Sequence, residues 1–161
     1  MRTPSSAVRA GIAAVELALV LPFIMFFLMG MWEVGRIIEV HQILSNAARE
    51  GGRQASAGQL DATQIDTLVK QYIKNQGLTN TNVKTTLTNK GYTGNPAPAD
   101  NNPQNATDLD QLQLTVKIPL ADVKWVNFTV FTGGVTDLYV TVSWPSMKDR
   151  AYAIPTPPSG S

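Results

Sequence analysis

Between Ile12 and Trp32 the chain is apolar apart from a single charge, Glu16. A helix of about 20 apolar residues is what roughly 30 Å of hydrocarbon requires, so residues 12–32 are predicted to span a bilayer. That one segment divides the chain into a short part before it and a long part after it. A lone carboxylate in such a helix costs ~2.5–3.5 kcal/mol on insertion scales, so Glu16 is expected to have a partner or a task. Pro22 lies inside the span, where the missing hydrogen bond is tolerated because neighbouring helices help satisfy the freed backbone, and a gentle kink is expected there.

Orientation follows from charge. Arg2 and Arg9 precede the apolar run with no acid before Glu16, which keeps the short tail cytoplasmic and sends the bulk of the chain across. A cleavable secretory signal fits less well. The apolar run exceeds the usual ~7–15 residues, contains a Glu, and is not closed by an Ala-x-Ala-like site.

With 161 residues, the chain has room for one modest extracytoplasmic domain beside the span and none for a second enzyme-sized unit. Thirteen basic residues stand against twelve acidic ones, and without Arg2 and Arg9 the basic count falls to eleven. This leaves no electrostatic footprint for nucleic acid. The absence of cysteine removes disulfide staples, thiolate metal sites and thiol nucleophiles together.

The helical period continues past Trp32. Apolar or small residues recur at Val34, Ile37, Ile38, Ile43, Leu44, Ala47 and Ala48, which predicts a stalk over 33–57. Gly51-Gly52 reads as a weakening of that helix and Ser56-Ala-Gly58 as its end. A rod from Ile12 to Ala57 would measure on the order of 65–70 Å. A second helix is predicted over 61–76, with Asp61 as N-cap, Gln64 three residues on, an apolar face of Ile65, Leu68, Val69, Tyr72 and Ile73, and Gly77 at the stop. Residues 82–89 read as an edge strand. The stretch 91–105, rich in Pro, Gly and Asn, reads as an exposed loop. Clean alternation predicts strands at 112–118 and 138–144, with a further candidate at 125–131 before Gly133-Gly134. The expected fold class is α+β: a long N-terminal helix, then a head (58–153) of one helix and three to four mostly antiparallel strands, then a tail at 154–161 whose three prolines predict no stable structure.

Three islands lie in order on the predicted long helix: Arg9-x-Gly11-x-Ala-Ala-Val-Glu16-Leu-Ala-Leu-Val-Leu-Pro22, Trp32-Glu33-Val-Gly35-Arg36, and Ala47-Ala48-Arg49-Glu50-Gly51-x-Arg53-x-Ala55. Over about residues 9–55 the chain resembles the TadE family of minor pseudopilins from the tight-adherence pilus system. The resemblance implies a prepilin-like leader (1–11) cut by a prepilin peptidase between Gly11 and Ile12, which leaves Glu16 fifth in the mature chain. It also implies that the chain resides in the inner (cytoplasmic) membrane, and that its partners are other pilin-like subunits and a pilus assembly platform. Physical chemistry is consistent with this. The new α-amino group, with a reference pKa of about 8, can pair with the Glu16 carboxylate of a neighbour and set the register between helices. Small residues at Ala13, Ala14 and Ala18 let backbones approach.

Catalytic machinery is hard to find. His41 is the lone histidine, on the apolar-stripe side of the stalk, and a metal site needs three or four ligands at recognisable spacing. No Gly-x-Ser-x-Gly or phosphate-binding glycine loop occurs. Asp108 and Asp110 suit a turn or solvent-facing edge, with a loop calcium site as the alternative. The reading is therefore a bitopic structural component for pilus assembly and surface adhesion, not an enzyme, with no cofactor, metal or small-molecule substrate. Its rivals are an uncleaved single-pass protein with a binding head, for which Glu16 is an ordinary interfacial residue, a secretion-system pseudopilin, and a membrane-tethered enzyme.

Overall fold

The fold is that of a computed structural model, which describes residues 6–79, 81–92, 96, 100–124 and 134–148. Its dominant element is α1 (Ser6–Ala57), 52 residues of α-helix that run unbroken through Pro22. At 1.5 Å per residue this is a rod of about 78 Å. Residues 11–29 are all exposed, and this part of the helix is long and apolar enough to cross a membrane. The upper part is one-sided. Val40, Leu44, Ala47, Ala48 and Ala55 are wholly buried at helical spacing, with Gly51 and Gly52 buried between them. Gly51-Gly52 does not interrupt the helix. It is where the helix comes closest to the rest of the molecule.

Helix α1 ends at Gly58, whose φ of +65° is a left-handed conformation that L side chains rarely adopt, and whose N–H returns to the Ala55 carbonyl at 3.0 Å. Helix α2 (Ala62–Asn75) starts as expected. The Asp61 carboxylate accepts from the Gln64 N–H at 2.7 Å, and the Gln64 side chain accepts from the Asp61 N–H at 3.0 Å, a reciprocal capping box. It closes with Gly77 N–H on the Lys74 carbonyl and Leu78 N–H on the Ile73 carbonyl, a Schellman motif. Ile65, Val69 and Ile73 form its buried stripe.

Three antiparallel strands follow: β1 (Lys84–Asn89), β2 (Gln111–Pro119) and β3 (Asp137–Pro145), in spatial order β1-β2-β3. The period of two puts Leu112, Leu114, Val116 and Ile118 of β2 on one face, all nearly or wholly buried. The register aligns Leu87 with Leu114 on one side and Val142 with Leu114 on the other. Both helices cover this inner face, so the core lies between one sheet and two helices, and each buried Leu, Ile or Val contributes about 1.5–3 kcal/mol relative to exposure. The architecture is α+β.

The strand expected at 125–131 and the tail at 154–161 lie outside the described residues. Both ends of the 91–105 segment are held rather than free. Gly91 and Pro103 are buried, a 3-10 turn spans Pro103–Asn105, and the Asn101 side chain accepts from the Asn89 N–H at 3.0 Å.

Candidate functional site

The residues singled out for processing and assembly all sit on the exposed lower part of α1. Gly11, Ile12, Val15, Glu16 and Leu19 line one shallow groove on the helix surface, because residues three and four apart share a face. A Cβ added at Gly11 would meet nothing within 4 Å, so packing within the chain does not require glycine there. Ile12 is 63 % exposed. Among the described residues Glu16 has no ion-pair partner. Pro22 lies further along the same helix. The structure thus brings Gly11, Ile12 and Glu16 together by local helix geometry and places no described part of the head against them.

The second and third islands occupy the junction with the head. Trp32 is 66 % exposed at the end of the span, while Glu33, one residue on, is wholly buried. Arg36 pairs with Glu39 at 2.8 Å along the helix. In the third island the small residues face inward and the charges outward. A Cβ on Gly51 would stand 2.6 Å from Leu114 Cδ2 and 2.7 Å from Val69 Cγ2, and one on Gly52 would stand 2.7 Å from the Trp144 ring. On the outer face Arg53 grips Glu50 with two hydrogen bonds of 3.0 and 2.7 Å, and Gln54 adds a third at 3.0 Å. Hydrogen bonds from Arg53 and Gln54 hold the Glu50 carboxyl below its ordinary pKa, and the bond to Glu50 raises that of Arg53. This island therefore seats the stalk helix on the sheet, with β2, β3 and α2 closing around two glycines.

Ser56 and Asp110 were not legible as important from the sequence. The Ser56 hydroxyl donates to the Pro145 carbonyl at 2.6 Å and its carbonyl accepts from Met147 N–H at 2.9 Å, which locks the end of α1 to the end of β3. Asp110 is not at a solvent-facing edge. It is 1 % exposed, and its carboxylate accepts from the Asn89 side-chain amide at 3.1 Å and the Thr107 N–H at 2.9 Å. Asp108 is exposed beside it, and Leu109 between them adopts a φ of 68°. His41 is exposed on α1, and no group of three or more His, Cys, Asp or Glu among the described residues could hold a metal ion.

Compared with known families, residues 11–53 match the model of the TadE-like protein family. The match begins at the glycine of the exposed groove and ends at Arg53, just past the buried Gly51-Gly52 pair. No curated protein and no solved structure matches the chain.

Proposed function

We propose, on the premise that residues 11–53 are TadE-like, that this chain is a minor pseudopilin, a bitopic structural component for assembling a tight-adherence pilus. The observation that carries the reading is the groove at the foot of α1: Glu16 lies one turn from Ile12 on a fully exposed apolar helix that offers it no described partner. In this reading the chain resides in the cytoplasmic (inner) membrane with its N-terminus inside and its head outside. A prepilin peptidase cuts between Gly11 and Ile12. The scissile peptide lies less than two turns from the start of α1, and glycine weakens a helix by about 1 kcal/mol relative to alanine, so the local unwinding needed for cleavage is cheap. The α-amino group released on Ile12 then pairs with the Glu16 carboxylate of a neighbouring subunit. Such a pair contributes little net stability but selects one axial offset between helices that would otherwise slide. Subunits join the pilus through these helices while the heads remain outside.

The test is the N-terminal residue and intact mass of membrane-extracted protein, with and without the cognate prepilin peptidase. A chain beginning at Ile12 only when the peptidase is present is the expected result, and an intact leader in both samples would return the protein to an uncleaved anchor. Gly11→Leu should block processing without disturbing the head, since nothing packs at Gly11. Glu16→Ala should leave membrane insertion intact and abolish or strongly reduce piliation, and wild-type piliation would remove the pairing role.

A further inference from the structure

We infer that lipid acyl chains cover α1 as far as Ile38, about one and a half turns beyond Trp32, and that the lower edge of the covered segment lies at Glu16. The inference rests on the reading that α1 crosses a membrane and does not depend on whether Gly11 is cleaved. On the exposed side of the helix Val20, Ile24, Phe27, Met31, Val34 and Ile38 recur at helical spacing as one apolar stripe. Val34 and Ile38 lie above the segment that hydropathy assigns to the span, yet they are still 46 % and 53 % exposed. The stripe ends abruptly there. Glu39, His41 and Gln42 follow it, all polar and all exposed.

Between Glu16 and Glu39 the only charged residues are Glu33 and Arg36, and both are drawn back from the surface. Glu33 is wholly buried. Arg36 keeps 22 % of its side chain exposed and sends its guanidinium up the helix to Glu39 at 2.8 Å, away from the span. A cation near a bilayer edge keeps its charge out of hydrocarbon in this way. At about 100° per residue, Glu33 stands about 140° and Arg36 about 160° around the helix from Ile38. Charge is therefore withdrawn on the sides away from the stripe as well. A neighbouring helix, of a second copy or of another subunit, demands this only on the face it covers, whereas a surrounding hydrocarbon medium demands it on every face. The occupant is thus lipid.

Length fixes the lower edge. The rise from Ile12 to Ile38 is about 39 Å, more than the ~30 Å of a hydrocarbon core, while that from Leu17 to Ile38 is about 32 Å and fits it. With the covered segment placed at its upper position, Glu16 stands where its carboxylate reaches the headgroups and their water, which avoids most of the cost of immersing it. The same placement puts Gly30 and Glu33, the first buried residues of α1 among those described, at bilayer depth. Burial of Glu33 then has a physical cause, because a carboxylate exposed at that depth would face acyl chains.

Spin-label accessibility tests this on the full chain, held at one copy per nanodisc of phosphatidylcholine and phosphatidylglycerol. The chain has no cysteine, so Ala13→Cys, Ile24→Cys, Val34→Cys, Ile38→Cys and Gln42→Cys each give a single label, all at exposed positions that leave the core untouched. Labels at Ile24, Val34 and Ile38 should collide with oxygen in preference to a water-soluble nickel chelate. The preference should reverse at Ala13 and Gln42, with a severalfold fall in the oxygen-to-nickel ratio from Ile38 to Gln42. Nickel-accessible labels at Val34 and Ile38 beside an immersed Ile24 would end the bilayer at Trp32 and overturn the proposal. So would an immersed Ala13, and so would labels at Val34 and Ile38 that neither reagent reaches, since protein would then be the cover. A nickel-accessible Ile24 would instead refute the membrane span itself.

Discussion

A methyl group added at Gly51 would collide with Leu114 and Val69, whereas one added at Gly35 on the same helix would meet nothing within 4 Å. The two glycines should therefore respond oppositely to the same substitution. Gly35→Ala gains helix propensity, about 0.5–1 kcal/mol of stability. Gly51→Ala gains as much, but overpacking against two side chains that are themselves almost wholly buried costs about 1–3 kcal/mol, so a net loss of roughly 1–2 kcal/mol is expected. Denaturant titration of the full chain in micelles would show the two midpoints moving apart; movement in the same direction would mean that Gly51 is not a contact point. Asp110→Ala leaves the buried Asn89 amide and Thr107 N–H without their acceptor and should cost about 1–3 kcal/mol by the same assay. Neither role was legible from residue type. A glycine pair in a helix looks the same whether it weakens the helix or lets a sheet approach, and an aspartate before a strand gives no sign of burial until the loop folds over it.

At the level of elements, periodicity and capping chemistry carried most of the information. The Asp61/Gln64 capping box, the Ile65-Val69-Ile73 stripe and the stop at Gly77 placed α2 to within a residue, because all are local and short-range. Asp61→Ala should lower stability by about 1 kcal/mol, measurable as a reduced midpoint with unchanged slope, through loss of one of the two reciprocal bonds. The alternation at 112–118 and 138–144 likewise fixed which residues of β2 and β3 face inward. The partners of those strands were not fixed, since a period of two is satisfied by any neighbour. Strand order, and which edge of β1 has no strand beside it among the described residues, emerge only from the register.

For the whole molecule, charge is spread thinly and acts locally. Asp137 is held below its ordinary pKa chiefly by Lys117, and Glu50 by Arg53 and Gln54. A carboxylate whose folded pKa is depressed adds stability that is present above its unfolded value and is lost as pH falls through the folded one. The denaturation midpoint should thus stay level from neutrality to about pH 5 and decline below about pH 4, near the reference carboxylate values. Both pairs are solvent-exposed, so the decline attributable to them is modest, and Glu50→Gln with Asp137→Asn should flatten it. An unchanged acid limb in that double variant would assign the loss to other carboxylates. The long apolar N-terminal helix and the α+β part that follows it could be read from hydropathy and periodicity. That the stalk is also the wall of the head's core could not, because the inward stripe from Val40 to Ala55 is amphipathic whether it meets a sheet of its own chain or another helix.

That shared helix has a mechanical consequence. From Ser6 to Ala57 the helix is continuous, lacking within its interior only the hydrogen bond that Pro22 cannot donate, and the top of the rod is clamped to β3 through Ser56, Pro145 and Met147. Tension applied to the head therefore has no hinge in which to dissipate. It loads the seam between α1 and the sheet in shear, across many side-chain contacts at once, and is delivered along the helix axis to its membrane foot. A chain built this way passes a pull on the head to its exposed apolar helix as a single stiff piece, with no flexible joint between them.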